Sequence, residues 1–206
     1  MKPVQMIRPV AGEADTAPLP DPAGLAAAHE VEDTSIAGIC DHIAASHHGR
    51  LRAILPEISA MAATVVRVHG DKDPDLAAQQ AVFETLRGGI EAHLAAEEEV
   101  LFPVWRGLAG GREEPAGSTR AVPADADRLA AVHAGFTGAL AELRSLADGY
   151  DPASAFCNTH RGLRHRLHLL ETDLQLQLRD ETELLLPLVR RYAAAGPGAV
   201  SAPLVS

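Results

Sequence analysis

The stretch 93–103, "HLAAEEEVLFP", and the stretch 175–187, "QLQLRDETELLLP", carry the same frame. Glu97 and Glu181 both stand six residues before a proline. Four residues before Glu97 is His93, and four before Glu181 is Gln177. Positions i and i+4 share one face of an α-helix. Two separate segments therefore present an acid and a second polar group on a common face. His48 and His133 repeat the frame: they lie 85 residues apart, and Glu97 and Glu181 lie 84 apart. One helix pair is used twice.

The text around these segments reads as four helices with three breaks. The first spans 33–69, where Ile36, Ile39, Ile43, Leu51, Leu55 and Ile58 follow helical spacing. Asp33 or Thr34 is placed to cap it, and Pro56 inside it predicts a kink or one lost hydrogen bond. "HGDKDP" ends it. The second spans 75–108, with a weak "RGG" at 87–89. After "AGGREEPAGSTR" the third spans 125–147, and after "DGYDPAS" the fourth spans 153–192, with Pro187 disturbing its last turns. No strand-like alternation of useful length occurs. Short connections between four helices predict an all-α, up-down-up-down four-helix bundle over 33–193. Residues 1–32 and 194–206, rich in Pro, Ala and small residues, read as a disordered N-terminal tail and a flexible C-terminal tail.

Composition narrows the partners. The chain has 206 residues, 47% of them hydrophobic and only 3% aromatic, so its core is built from Leu, Ala, Val and Ile. A net charge of −10 argues against nucleic acid or an anionic membrane surface as partner. No apolar run is long enough to span a bilayer, and the first residues lack the apolar block of a signal peptide, so the expected location is cytoplasmic. Cys40 and Cys157 form no CxxC and fall near opposite ends of the bundle, which predicts reduced thiols.

In antiparallel neighbours, residues equidistant from the connecting turn lie at one height. The midpoint of His48 and His93 falls between Gly70 and Asp71, in the first break. That of Glu97 and His133 is Pro115, in the second, and that of His133 and Gln177 is Ala155, at the edge of the third. All four helices thus bring polar residues to one level. A single His-x-x-x-Glu is ordinarily a solvated surface pair, but histidines and acids converging inside a bundle suit a divalent transition metal. Two carboxylates that each span two ions about 3.5–4 Å apart make a two-metal site plausible.

The other histidines read differently. His69 lies about 31 Å along the axis from His48, too far to share the level. His160, His165 and His168 sit toward the start of the fourth helix, His168 on the face opposite Gln177. His47 is about 100° round the helix from His48 and reads as an interhelix contact, or else as a support held behind a ligand. His29 and His42 read as surface, and Glu98 and Glu99 as solvated.

These segments resemble a known family. "ICDHIAASHHGRLRAILPEI", "VVRVHGDKDP", "IEAHLAAEEEVLFP" and the spacing from "AVHAGF" to "DPASAFC" are similar to the hemerythrin-like family. Within it they are most similar to the iron-sulfur-cluster repair branch, the di-iron "repair of iron centres" proteins. The resemblance covers 35–190. It implies a four-helix bundle holding two non-haem irons. His48, His93 and His133 would be iron ligands, and Glu97 and Glu181 bridging carboxylates. Gln177 stands where the family has its remaining histidine, and "LLLP" lacks the family's Phe before the second proline. The repair branch often has an N-terminal domain with adjacent cysteines; this chain shows no Cys-Cys pair.

What the resemblance implies is chemistry at iron: two Fe, or one if the Gln177 half does not bind. It also implies a role in nitrosative or oxidative stress and in iron-sulfur cluster repair or iron handling. Expected partners are nitric oxide, dioxygen or peroxide, and iron-sulfur proteins. Whether such a protein is an enzyme is left open: neither a Ser-His-Asp arrangement nor a phosphate loop is evident in the sequence. The alternatives are a non-enzymatic module that binds or senses dioxygen or nitric oxide, and a metal-poor helical interaction protein. For Gln177 itself three readings stand: its amide oxygen binds or leaves a water on one iron, only the His93 half holds metal, or the amide is satisfied by its neighbours.

Overall fold

The computed structural model describes residues 33–109 and 118–195. The tail expected at 1–32, the second break's residues 110–117 and the tail residues 196–206 lie outside them. The helical elements are α1 (Ile36–His42), α2 (Gly49–His69), α3 (Asp75–Ala96), α4 (Phe102–Ala109), α5 (Ser118–Leu146), α6 (Asn158–Arg179) and α7 (Leu186–Ala195). No strand occurs among the described residues. They form four rods: α1 with α2, α3 with α4, α5 alone, and α6 with α7. The first rod packs on the second and fourth, and the third on the second and fourth. This is the all-α, hemerythrin-like four-helix bundle.

Three rods are joined through π-helical turns, at Ile43–His48, Glu97–Leu101 and Asp180–Leu185. Phe102 N–H donates to the Glu97 carbonyl five residues back, and Leu186 N–H to that of Glu181. The prolines explain two of the three turns. Pro103 and Pro187 lack an N–H, and a proline ring in a regular helix collides with the carbonyl four residues earlier. Those carbonyls, of Glu99 and Glu183, lie inside the widened turns. A π turn just upstream of each proline relieves the clash and rotates the preceding glutamate relative to a continuous α-helix.

Details of the ends differ from the sequence reading. The first helix is capped by Ser35, whose Oγ accepts from Gly38 N–H at 3.0 Å, while Asp33 accepts from Ser35 N–H. Ser35 stands three residues before Gly38, the reach an N-cap hydroxyl needs. The helix α2 runs unbroken through Pro56, and the irregularity of that rod lies upstream in the π turn. The third rod begins at Ser118 rather than 125, carrying the helix through Pro123. The fourth begins at Asn158, after 3₁₀ turns at Asp148–Tyr150 and Pro152–Ser154, with Cys157 as its N-cap.

The core is in two parts. Around Leu51, Ile58, Phe83, Ile90, Leu140, Leu170 and Leu174 lies one apolar cluster. Around Ile36, Ile39, Phe102, Trp105, Leu185 and Val189 lies another. Buried polar side chains include His47, His48, His93, Glu97, His133, Gln177, Asp180 and Glu181. Their rods pass from one cluster to the other at these residues. A layer of this kind is costly to bury unless its groups satisfy one another or a bound ion.

Candidate metal centre

His48 ends the first π turn, Glu97 begins the second and Glu181 lies in the third. His93 is in the last turn of α3, His133 lies on α5 and Gln177 near the end of α6. The bundle brings these six together. His133 Nε2 is 2.7 Å from Glu181 Oε2, and His93 Nε2 is 3.5 Å from the same oxygen. His93 Nε2 is 3.4 Å from Glu97 Oε2, and His48 Nε2 3.2 Å from it. One atom each of His93, His133 and Glu181 lies within 4.8 Å of the others, a spacing compatible with one shared cation.

Gln177 fills the middle. Its Nε2 donates to Glu181 Oε1 at 2.7 Å and to Glu97 Oε2 at 3.4 Å. The same nitrogen is 3.4 Å from His48 Nε2 and 3.5 Å from His93 Nε2. The amide group thus stands among four of the ligand-type atoms. Its Oε1 and Glu97 Oε1 are buried and have no hydrogen-bond partner among the described residues.

Two histidines are held from outside. His48 Nδ1 is 2.7 Å from Glu98 Oε1, and Arg52 donates to both oxygens of Glu98 at 2.8 Å. His133 Nδ1 is 3.3 Å from Thr182 Oγ1. Fixing Nδ1 in this way turns each Nε2 toward the centre. His48 also stacks on Phe102, and His93 meets His133 and Phe136 edge-on. Glu98 is therefore a partner of His48, not the solvated acid expected from "EEE". Arg52 draws it in, and a charge run alone does not reveal that pairing.

The electrostatics divide the two central acids. Burial, reinforced by the charge of Glu181, pushes the Glu97 carboxyl well above the usual carboxylate range. Burial also works to raise Glu181, but the His133 and His93 imidazoles beside its Oε2 outweigh it and hold that carboxyl down at about 2. Burial keeps His48 below the ordinary histidine value, against the pull of Glu98. A neutral imidazole is the form that ligates a metal. Arg52 first, then His48, hold Glu98 at about 2.

A family model described as "Hemerythrin HHE cation binding domain" matches residues 41–189. The chain belongs to this hemerythrin HHE family. The iron-sulfur cluster repair protein YtfE of Yersinia pseudotuberculosis serotype O:1b (strain IP 31758) is 29% identical over 167 residues, covering 79% of this chain and 71% of that protein. YtfE of Yersinia pestis (strain Pestoides F) shows the same identity and coverage. The matched segment contains all three π turns, Ile43–His48, Glu97–Leu101 and Asp180–Leu185, in full.

Other sequence-predicted residues fall elsewhere in the hemerythrin HHE bundle. His69 sits at the far end of α2, its Nε2 3.3 Å from Cys157 Sγ. His160 is buried beside Arg164, and His168 stacks on Tyr150. Cys40 is buried in the cluster with Ile36 and Trp105, and burial pushes its thiol up to about 12. His42, expected at the surface, is largely covered and lies against His47 and Asp180. Among the described residues no helix is long and apolar enough to cross a membrane.

Proposed function

We propose that this hemerythrin HHE protein holds non-haem iron in the buried layer and acts in iron-sulfur cluster repair or iron handling under nitrosative or oxidative stress. The observation that carries the reading is the inward convergence of His93, His133 and Glu181, with His133 oriented from behind by Thr182. Two imidazoles and a carboxylate make a donor set suited to iron(II). The unpartnered oxygens of Gln177 and Glu97 fit a site whose remaining bonds go to a cation.

His93, His133 and Glu181 would hold one ion, and His48 and Glu97 would be the ligands of the half where Gln177 stands. Turning the Gln177 amide by half a rotation would present Oε1 in place of Nε2. That oxygen is a weaker ligand than imidazole, so this half should hold metal less tightly and leave a position open. Bound iron supplies redox change and a place for small ligands such as nitric oxide, dioxygen or peroxide. The protein's part is to orient the imidazoles, to keep Glu181 ionised and to exclude bulk water.

The relatives named for iron-sulfur cluster repair support the same role here, with iron-sulfur proteins as partners. A groove of about 640 Å³ lined by Gly89, Ala92, His93, Val132 and Phe136 opens beside His93 and favours small apolar ligands on that side. This observation also supports a binding or sensing role without turnover. The test is anaerobic purification from iron-rich medium, metal analysis and an absorption spectrum. Fewer than about half an iron per chain, with a melting temperature unmoved by chelator, sinks the proposal.

A further inference from the structure

His47 and His48 are chain neighbours, as are Asp180 and Glu181. Successive residues on a helix point about 100° apart. His48 and Glu181 turn to the layer described above; His47 and Asp180 turn to each other. His47 Nε2 is 3.5 Å from Asp180 Oδ2, and His42 Nε2 is 3.8 Å from that same oxygen. One ligand-type atom from each of the three lies within 4.8 Å of the others. We propose that His42, His47 and Asp180 form a second site, for a single divalent ion of the zinc or iron(II) class.

The local backbone makes the site. Five residues of α-helix turn about 500°, which would leave His42 and His47 about 140° apart. The π turn Ile43–His48 begins directly after His42 and contains His47; its wider turn brings residues five apart closer to one face than an α-helix does. Both rings come to one face, their centroids 5.5 Å apart. Asp180 opens the third π turn and meets them from the fourth rod.

The distances suit coordination. Metal–ligand bonds of 2.0–2.1 Å at tetrahedral angles put neighbouring ligand atoms about 3.4 Å apart. The two contacts with Asp180 Oδ2 are close to that. His47 is also prepared from behind. Its Nδ1 is 2.8 Å from Asp173 Oδ1, and Arg50 donates to the same oxygen at 2.8 Å and 3.1 Å. A carboxylate on Nδ1 fixes the tautomer that leaves Nε2 as the ligating atom, the carboxylate–histidine–metal arrangement. His47 is fully buried and Asp180 is 1% exposed, while His42 retains partial exposure and gives the ion a way in. These side chains supply three of the four ligands of a tetrahedral ion.

Co²⁺ titration of the full chain tests it, because tetrahedral cobalt has intense visible bands. In a chain carrying His93→Ala and His133→Ala, one equivalent of Co²⁺ is expected to bind with those bands. Adding His42→Ala should abolish the bands and weaken binding at least about tenfold, and Asp173→Asn should weaken it by about 10–100-fold. In the otherwise unchanged chain, His42→Ala or His42→Gln should lower bound cobalt by one ion per molecule. That comparison serves if the double variant does not fold. A simple His–Asp ion pair gives neither result. Cobalt content and spectrum unchanged by both His42 substitutions would overturn the assignment.

Discussion

Gln177 Nε2 donates to Glu181 Oε1 at 2.7 Å, one helical turn apart on the same rod. In the absence of metal this bond gives a buried, ionised carboxylate one of its donors. Gln177→Ala should therefore lower the stability of the metal-free protein by about 1.5–3 kcal/mol, read by urea denaturation in chelator. Gln177→His should act in the other direction on metal. It supplies a second imidazole in the half that has only His48, and is expected to raise iron toward two ions per chain. Equal iron in the two proteins would count against a metal-shaped pocket around Gln177.

The two halves of the layer should separate on mutation. His133 lies against Glu181 Oε2 and His48 against Glu97 Oε2, while His93 stands between the two oxygens at 3.5 and 3.4 Å. His133→Ala is expected to remove nearly all iron. His48→Ala should leave at least half of what the unaltered chain holds, because the His93–His133–Glu181 half stays intact. Metal analysis after identical purification distinguishes them, and the reverse order would place the tighter ion with His48.

Much of this layer was legible before any coordinates. The doubled Glu-to-Pro frame and the midpoints falling in the breaks follow from helix geometry alone, and the bundle places all six residues together. What the sequence concealed has one main physical source. Helical reasoning assumes 3.6 residues per turn, and three turns here are wider. His42 and His47, five apart, share no α-helical face, so their meeting was invisible. The prolines six residues after Glu97 and Glu181 were the available clue, since each demands relief of its ring just upstream. Glu98 was hidden for another reason: in a run of three acids, nothing marks the one that an arginine from a different rod will claim.

Adjacent glycines on α3 offer a control for packing beside the groove. A Cβ on exposed Gly88 meets nothing within 4 Å, whereas one on Gly89 comes 3.1 Å from Phe136 Cε1. Phe136 in turn packs edge-on against His93. Gly88→Ala should stabilise the fold by about 0.5–1 kcal/mol through helix propensity alone. Gly89→Ala should give clearly less, because Phe136 must shift by a few tenths of an ångström. Thermal melts of the two variants side by side provide the comparison; equal gains would mean that Phe136 yields freely.

The third break is held by Arg164, a residue the sequence did not single out. Asp148, Gly149 and Tyr150 all take left-handed backbone angles, unfavourable for the two that carry side chains. Buried Arg164 donates to the carbonyls of Ala147 and Asp151 at 2.7 and 3.0 Å, and to Asp148 Oδ2 at 2.9 Å. Lysine has no planar fork to reproduce these bonds. Arg164→Lys should cost about 2–4 kcal/mol in urea denaturation. The hydrogen bond from Arg164 holds the Asp148 carboxyl below its ordinary 3.8. A carboxyl depressed in the fold stabilises it fully above the unfolded value and loses that contribution as pH falls through the folded one. Stability of the unaltered chain should accordingly fall more steeply than that of Asp148→Asn as the pH drops below roughly 4. Parallel acid profiles for the two proteins would show that the exposed carboxylate adds nothing to the grip of Arg164 on the turn.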